Sequence, residues 1–343
     1  MSFTTYKESF VKETTYREDI KFDSLCKYGI KPLDDALRAI APNELIVIAA
    51  GSGIGKTELS LHISRTNALR GKRVAHFNLE GGWREAVQRM KWREMCNIYY
   101  ERYHMKGHFV ELDYRKWVLN ELNNDLLRKI ESEAYENLKT VGENLWLYNN
   151  PNGLNCKEFC ASLLSFHNLE FAAMNFGGLK KAGFELDLIV IDHLHYFSLD
   201  KDENEIGEIT AILKAVKDIT EVFNIPVILV AHLRKLPRGH GIADKEDIYG
   251  TSNIHKIANT CIILAPDHEK DDYSQGQYPT YIRIAKSRQG LRPNLLMYSS
   301  FDIHTRSYGE HYDLYKCFPD GSVANDSLKD FEKPLWARST TNL

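Results

Sequence analysis

The residues with the clearest chemical potential form a glycine-rich run after an apolar segment. Residues 45–50 are continuously apolar, and Lys56 and Thr57 close the run. Glycines let backbone N–H groups converge on an anion, and the start of a helix adds partial positive charge. The run therefore predicts a phosphate-binding loop, with a plain glycine turn as the alternative. We assign nucleotide contacts to Gly51, Ser52, Gly53, Ile54, Gly55, Lys56, Thr57 and Glu58.

The residue types at the end of this run suit nucleotide phosphates. In such a loop the lysine, here Lys56, reaches the β- and γ-phosphates, while the hydroxyl of Thr57 holds Mg²⁺. One position departs from the strict pattern, because Ala50 stands where the first glycine is required. Acidic partners elsewhere in the chain must therefore support the assignment.

Two carboxylates follow segments that read as strands. Glu80 comes after the predicted strand 73–79, and Asp192 after the nearly continuous apolar run 186–191. A carboxylate beside the phosphates can polarise water for attack, which is the role we assign to Glu80. Asp192 is expected to hold Mg²⁺ opposite Thr57. Taken alone, Glu80 could be a solvated loop residue, but the combined order predicts an ATP-hydrolysing site.

A third apolar run, residues 226–231, leads into His232 and a basic loop. A polar side chain at this strand end can sense the γ-phosphate, although a hydrogen-bonded loop histidine is the alternative. The cations that follow could face a nucleic-acid backbone, or the loop could simply be solvated. The proposed DNA contacts are Arg234, Lys235, Arg238, His240 and Lys245.

Alternation of apolar runs with helical periodicity predicts an α/β protein with a mostly parallel sheet flanked by helices. Residues 83–185 read as a mainly helical cover whose aromatic side chains favour a core role over a base-stacking platform. Residues 281–285 and 295–298 predict a hairpin near the end of the chain. We expect an arm over residues 1–26, a main domain over 27–310 and a tail over 311–343.

Composition limits the class of protein. The 343 residues carry a formal net charge of −3, so any nucleic-acid contact must come from a local patch. The six cysteines have no CxxC spacing, which favours reduced thiols in a cytoplasmic protein. No apolar run approaches the ~18 residues that a membrane-spanning helix requires.

The order of these motifs resembles the RecA-fold ATPase domain of DnaB-type replicative DNA helicases, relatives of which include Twinkle and the phage primase-helicases. The resemblance covers residues 27–308 and rests on AGSGIGKT, FNLEGG, IVIDHLHYF, VAHLRK and AKSRQG. In that family the first loop position is often Ala or Gly, which accounts for Ala50. His195 departs from the pattern, since the family usually has Gln there.

The resemblance implies roles that the residues alone do not. Lys286 and Arg288 match a Lys-x-Arg pair that reaches into the ATP site of a neighbouring subunit, so a homo-oligomer, expected as a hexameric ring, is implied. Catalytic roles then fall to Lys56, Glu80 and His232 within one subunit. ATP and Mg²⁺ are the implied ligands.

The implied activity is ATP-driven 5′→3′ movement on single-stranded DNA, with duplex unwinding during replication and a primase or loader as a possible partner. One alternative is a RecA-like or KaiC-like DNA-binding ATPase that does not unwind DNA. Another is a nucleotide-gated loader or regulator.

Overall fold

The computed structural model describes residues 4–122, 124–148, 154–155, 158–160, 162, 186–196, 205–236, 241–250, 253–267, 276–288 and 294–338. The helices are α1 (Tyr6–Asp19), α2 (Lys31–Leu37), α3 (Lys56–Leu69), α4 (Trp83–Ile98), α5 (Tyr114–Val118), α6 (Asp125–Asn137), α7 (Lys139–Asn144), α8 (Glu205–Phe223) and α9 (Asn253–Ile257). The strands are β1 (Leu45–Ala50), β2 (Val74–Asn78), β3 (Leu145–Tyr148), β4 (Leu188–Asp192), β5 (Val227–His232), β6 (Thr260–Pro266), β7 (Gln277–Ser287), β8 (Leu295–Asp302), β9 (Ser307–Tyr308) and β10 (Asp313–Lys316).

One mixed sheet joins the described strands. Its order is β10-β8-β7-β6-β1-β5-β4-β2-β3, and β9 pairs with β8. The pairs from β6 through β1 to β3 are parallel, whereas β6–β7, β7–β8 and β8–β10 are antiparallel. The expected α/β architecture, with a mostly parallel sheet and a C-terminal hairpin, is confirmed.

Helices cover both faces of the central strand β1, all six residues of which are buried. Because side chains alternate along a strand, Val47 packs in the cluster that contains Val216 of α8, and Ile48 in the cluster that contains Leu59 of α3. A strand buried on both faces has to be apolar throughout, which explains the uninterrupted sequence of β1. In the described part of the chain, no helix combines the length and apolar character needed to cross a bilayer.

The helical cover has a small core of its own between α4 and α6. Trp92 of α4 is fully buried and lies against Trp117, with ring centroids 5.4 Å apart, and Tyr114, at 5.8 Å. Ile130 and Ala134 of α6 complete the contact. A core role is confirmed for Trp92, whereas Trp83 and Tyr100 of the same segment are exposed, so the prediction is wrong for those two.

The two ends of the chain contain regular structure. The N-terminal segment forms α1, which begins with a capping box between Thr5 and Glu8 and buries none of its side chains. Past residue 310, β10 extends the sheet by pairing with β8, and Trp336 packs against the main core. The boundary expected at residue 310 therefore falls inside the folded unit, because a four-residue strand leaves too short an alternation to stand out in sequence.

Candidate active site

The carboxyl ends of four parallel strands meet at one edge of the sheet. Ala50 of β1 is level with His232 of β5, and Asn78 of β2 with Asp192 of β4. The phosphate loop (residues 51–57) and Glu80 follow β1 and β2 directly. This convergence brings together side chains that are far apart in sequence, and open α/β sheets bind ligands at this edge.

The phosphate loop is shaped by its glycines. Gly53 and Gly55 have φ of 78° and 85°, a left-handed conformation that favours glycine. Lys56, at the start of α3, is buried, and its Nζ donates to the main-chain oxygen of Gly51 (2.7 Å). Burial lowers the pKa of Lys56, while Glu80 and Asp192 oppose that shift. The loop thus concentrates a cation and backbone N–H groups at one point.

Asp192 supplies a buried carboxylate beside this loop. Its side chain is fully buried, and the hydroxyl of Ser60 donates to Oδ2 at 2.8 Å. Burial raises the pKa of Asp192 to about 6, although the hydroxyls of Ser60 and Thr57 lower it. The other oxygen, Oδ1, is buried without a hydrogen-bond partner in the described part of the chain. An orphaned carboxylate oxygen near a threonine hydroxyl is a donor set that fits Mg²⁺.

Glu80 contacts a group of histidines at the same edge. Its Oε2 lies 3.4 Å from Nε2 of the fully buried His193. The His193 ring meets the ring of His232 edge to face, with centroids 4.2 Å apart. Burial lowers the pKa of His193 to about 3 and also lowers that of His232, so both imidazoles are neutral at pH 7. The expected sensor and the expected base are therefore linked through His193.

A cavity of about 720 Å³ extends from the phosphate loop towards the C-terminal hairpin. Its far wall contains apolar and aromatic side chains from β6 to β8, among them Pro266, Tyr278 and Phe301. A mixed apolar wall of this kind suits a planar base, whereas the loop end suits phosphates. The cavity therefore has the size and the two-sided chemistry of a nucleotide site.

Glu58 also lines this cavity, but its carboxylate has cationic partners. Its Oε1 accepts from Arg89 at 2.5 Å and pairs closely with Arg306. Arg306 in turn lies over the Tyr114 ring, 4.0 Å from its centroid. The side chain of Glu58 is thus placed to hold two arginines at the cavity wall, and only its main chain is suited to contact an anion.

The proposed DNA-binding residues differ in their surroundings. Arg234 and Lys235 are exposed directly after β5. The main-chain N–H of Arg234 donates to Asp247 O (2.8 Å), which anchors the start of the loop. The ammonium of Lys245 instead pairs with Glu246 at 2.9 Å. Arg238 and His240 lie outside the described residues.

Lys286 and Arg288 lie at the opposite end of the strands, where β1 and β6 begin. The N–H of Arg288 donates to Asn259 O (3.0 Å), and the N–H of Asn259 donates to Leu45 O (2.8 Å). Arg288 is thus level with the first residue of β1, about 17 Å from Ala50 at the strand's usual rise. Neither side chain can reach the phosphate loop of its own chain.

Main-chain oxygens hold the two cationic side chains at that end of the strands. Nζ of Lys286 donates to His255 O (2.6 Å) and Ala258 O (2.7 Å), around the C-terminal end of α9. Arg288 Nη2 donates to Lys256 O at 3.3 Å. These contacts fix the base of the loop that joins β7 to β8.

Ser60, His193 and Arg306 are among the residues of the site that carried no assignment from sequence. Ser60 lies one helical turn after Thr57, a spacing that places both on the face towards Asp192. His193 directly follows Asp192 at the end of an apolar strand, and this position is a signal that the sequence does contain. Arg306 has no such signal in the sequence, because its partner Glu58 lies 248 positions earlier in the chain.

Comparison with known proteins agrees with this arrangement. The family model described as "DnaB-like helicase C terminal domain" matches residues 26–127 and 162–302. "Replicative DNA helicase DnaC" of Bacillus subtilis is 24% identical over 305 residues, which cover 86% of this chain and 58% of that protein. "Probable plasmid replicative DNA helicase" of Chlamydia trachomatis is 24% identical over 265 residues, 76% of this chain and 50% of that one. The chain spans about half the length of these curated relatives.

Solved structures show the same fold. One solved ATPase domain superposes with a TM-score of 0.66 at 14% identity, covering 90% of this chain and 99% of that one. A structure of a DnaB-like replicative helicase and its interactions with primase gives a TM-score of 0.61 at 16% identity, over 90% of this chain and 67% of that one. The RecA-like fold is thereby confirmed. Since the family model covers most of the sequence, this chain belongs to the DnaB-like helicase C-terminal domain family.

Proposed function

We propose that this chain is the ATP-hydrolysing motor of a replicative DNA helicase. The observation that carries the proposal is the meeting of Lys56, Asp192 and Glu80 at one edge of the parallel sheet. Lys56 and the loop N–H groups would bind the phosphates, and the Thr57 hydroxyl and Asp192 would hold Mg²⁺. When bound, Mg²⁺ supplies charge that offsets the phosphate oxygens as the γ-phosphoryl group departs.

Glu80 is placed to act on the attacking water. Its side chain is 39% exposed, so water can reach it, and its backbone is fixed because the Glu80 N–H approaches Asp192 O. A carboxylate here would orient that water and accept its proton. His232, at the end of β5, would contact the γ-phosphate and pass its presence to Arg234 and Lys235, which follow the strand directly.

The position of Lys286 and Arg288 supports an assembly in which each ATP site lies between two subunits. Both are about a strand's length away from the phosphate loop of their own chain, yet they sit at an edge that an adjacent copy can approach. A guanidinium against the γ-phosphate would stabilise charge that grows in the transition state. We therefore propose a homo-oligomeric ring, with six subunits as implied by the family resemblance.

Single-stranded DNA is the proposed track. Arg234 and Lys235 are exposed cations directly after β5. Exposed positive charge is sufficient for sequence-independent contacts with DNA phosphates. A change at His232 on hydrolysis would move these two residues and the DNA strand with them. A primase or a loader is the proposed protein partner.

Strand displacement on a forked duplex tests the function directly. The expected result is ATP-dependent unwinding and an ATPase rate that single-stranded DNA stimulates, both lost in Lys56→Ala. ATPase activity without unwinding would overturn the helicase proposal in favour of a DNA-binding ATPase. An ATPase rate that does not respond to DNA would favour a loader or regulator.

Mixed oligomers test the shared site. Lys56→Ala removes the phosphate-binding half of a site, and Arg288→Ala removes the contributed half, so each alone should be inactive. Mixing them should restore activity, since some interfaces would pair an intact loop with an intact arginine. Lys56→Ala mixed with Glu80→Gln is the matched control, because both changes damage the same half. Normal hydrolysis by Arg288→Ala would rule out the shared site.

A further inference from the structure

The proposed ATP site contains a second set of metal-ligating side chains beside the oxygen donors described above. We infer that Glu80, His193 and His232 form a binding site for a transition-metal ion of the Zn²⁺ class, and that its occupation stops ATP hydrolysis. The inhibitory effect rests on the proposed function, whereas metal binding does not.

The geometry of the three side chains suits one small ion. The ligand atoms of Glu80, His193 and His232 all lie within 4.8 Å of one another. The 3.4 Å between Glu80 Oε2 and His193 Nε2 is close to the separation of two ligands in a tetrahedral site with bonds of about 2.0–2.1 Å. His193 is fixed by burial, while the partly exposed Glu80 is free to adjust its rotamer towards an ion.

The donor types select the metal. Two imidazoles and one carboxylate are a ligand set that Zn²⁺ uses where a fourth position stays open to water or substrate. Imidazole binds borderline metals such as Zn²⁺ and Co²⁺ better than Mg²⁺, which prefers oxygen donors. The neighbouring pair Thr57 and Asp192 offers only oxygens. Two adjacent sites at one strand edge therefore differ in the class of cation that they accept.

The surrounding charges set limits on this site. Lys56 is the cationic group close to both His193 and His232, and its charge opposes a second cation. The carboxylate of Glu80 offsets it, and the buried Asp192 lies next in sequence to His193. The negative groups on this edge thus allow a divalent ion despite the lysine.

Occupation would remove two side chains from the reaction. A metal-bound Glu80 cannot accept a proton from water, and a metal-bound His232 cannot contact the γ-phosphate. Lys56 and the loop N–H groups would stay available to the nucleotide. We therefore expect Zn²⁺ to lower kcat strongly while a fluorescent ATP analogue still binds.

Metal binding is measured first, on the full chain without nucleotide. Co²⁺ is the spectroscopic probe, because a low-coordinate site gives strong visible absorption, and Zn²⁺ is then titrated against it. One tight equivalent is expected for the unaltered protein. Glu80→Gln, His193→Asn and His232→Asn should each weaken it by more than about 100-fold, since loss of an outer-sphere partner alone costs about 10–100-fold. His108→Asn, at an exposed position outside the site, is the matched control and should bind normally.

Glu80→Gln and His232→Asn alter residues that are not fully buried, so they keep the test decisive even if His193→Asn fails to fold. Unchanged Zn²⁺ affinity in these two variants would overturn the site. The second measurement is the ATPase rate. At saturating Mg²⁺, Zn²⁺ should reduce turnover at least tenfold, and a zinc-selective chelator should restore it. Tight Zn²⁺ binding with undiminished turnover would overturn the inhibition. A chain that binds Zn²⁺ in this site but hydrolyses no ATP would instead refute the proposed function.

Discussion

Ser60→Ala isolates the contribution of one hydroxyl to the proposed Mg²⁺ site. Ser60 Oγ lies 2.8 Å from Asp192 Oδ2 and 3.0 Å from Thr57 O. A hydroxyl has one proton, and the nearer, charged acceptor takes it. The substitution therefore removes a buried hydrogen bond that favours the ionised form of Asp192.

The size of the effect follows from this bond. A hydrogen bond to a charged group contributes about 1.5–3 kcal/mol, and about 1.4 kcal/mol corresponds to one pKa unit. The pKa of Asp192, already raised to about 6 by burial, should rise by a further one to two units, roughly, in the variant. Because Mg²⁺ must then displace a proton at pH 7, its apparent affinity should fall about two- to tenfold.

The pH dependence separates this cause from general damage. A raised carboxyl pKa favours the protonated form below it, so the defect should shrink at pH 8.5, where Asp192 is ionised in both proteins. Mg²⁺ titrations of the ATPase rate at pH 7 and pH 8.5 measure this. Ser64→Ala is the matched control on the same helix, since Ser64 is equally buried but bonds to His76 Nδ1 (2.8 Å). Equal Mg²⁺ affinity for Ser60→Ala and unaltered protein at pH 7, or an equal loss at both pH values, would refute the reasoning.

Three further substitutions have defined outcomes. Glu80→Gln should bind a fluorescent ATP analogue normally yet lower single-turnover hydrolysis at least a hundredfold, because the amide cannot accept the water proton; a residual rate near normal would contradict the assignment. Changing Arg234 and Lys235 together to Ala should weaken single-stranded DNA binding, measured by titration across salt concentrations. The slope of log K against log [salt] should become about 1.4 less steep, since each phosphate contact contributes about 0.7. Lys245→Ala, whose ammonium is paired with Glu246, is the control and should change neither the affinity nor the slope. Trp92→Phe removes a 2.5 Å hydrogen bond to the main chain before β9 and should lower the free energy of unfolding by about 1 kcal/mol or more, measured by urea denaturation.

The strand ends that form the proposed ATP site could be predicted from sequence for a physical reason. Strands of a buried parallel sheet must be apolar throughout, so β1, β4 and β5 stand out as runs that end abruptly in polar residues. The glycine loop adds a conformational requirement that few sequences meet. Because parallel strands place their carboxyl ends together, the sequence alone is enough to predict that Asp192 and Lys56 share one site.

Contacts between distant segments could not be predicted in the same way. Glu58 looked like a nucleotide contact because it follows the loop, but the structure pairs it with Arg306 from the turn before β9. Periodicity and spacing report which face of an element a residue occupies, and they carry no information on which charged side chain lies across from it.

The sheet itself explains why the two halves of the proposed ATP site lie at opposite ends of the strands of one chain. The phosphate loop follows the carboxyl end of β1, whereas Arg288 is level with the amino end of the same strand. Antiparallel pairing of β7 with β6 produces this reversal, because it carries the end of β7 back to the edge where β6 begins. A further parallel strand in its place would bring its end to the phosphate loop of the same chain and complete a site within one subunit. The change from parallel to antiparallel pairing at β6 is thus the feature that would make ATP hydrolysis depend on a neighbouring copy.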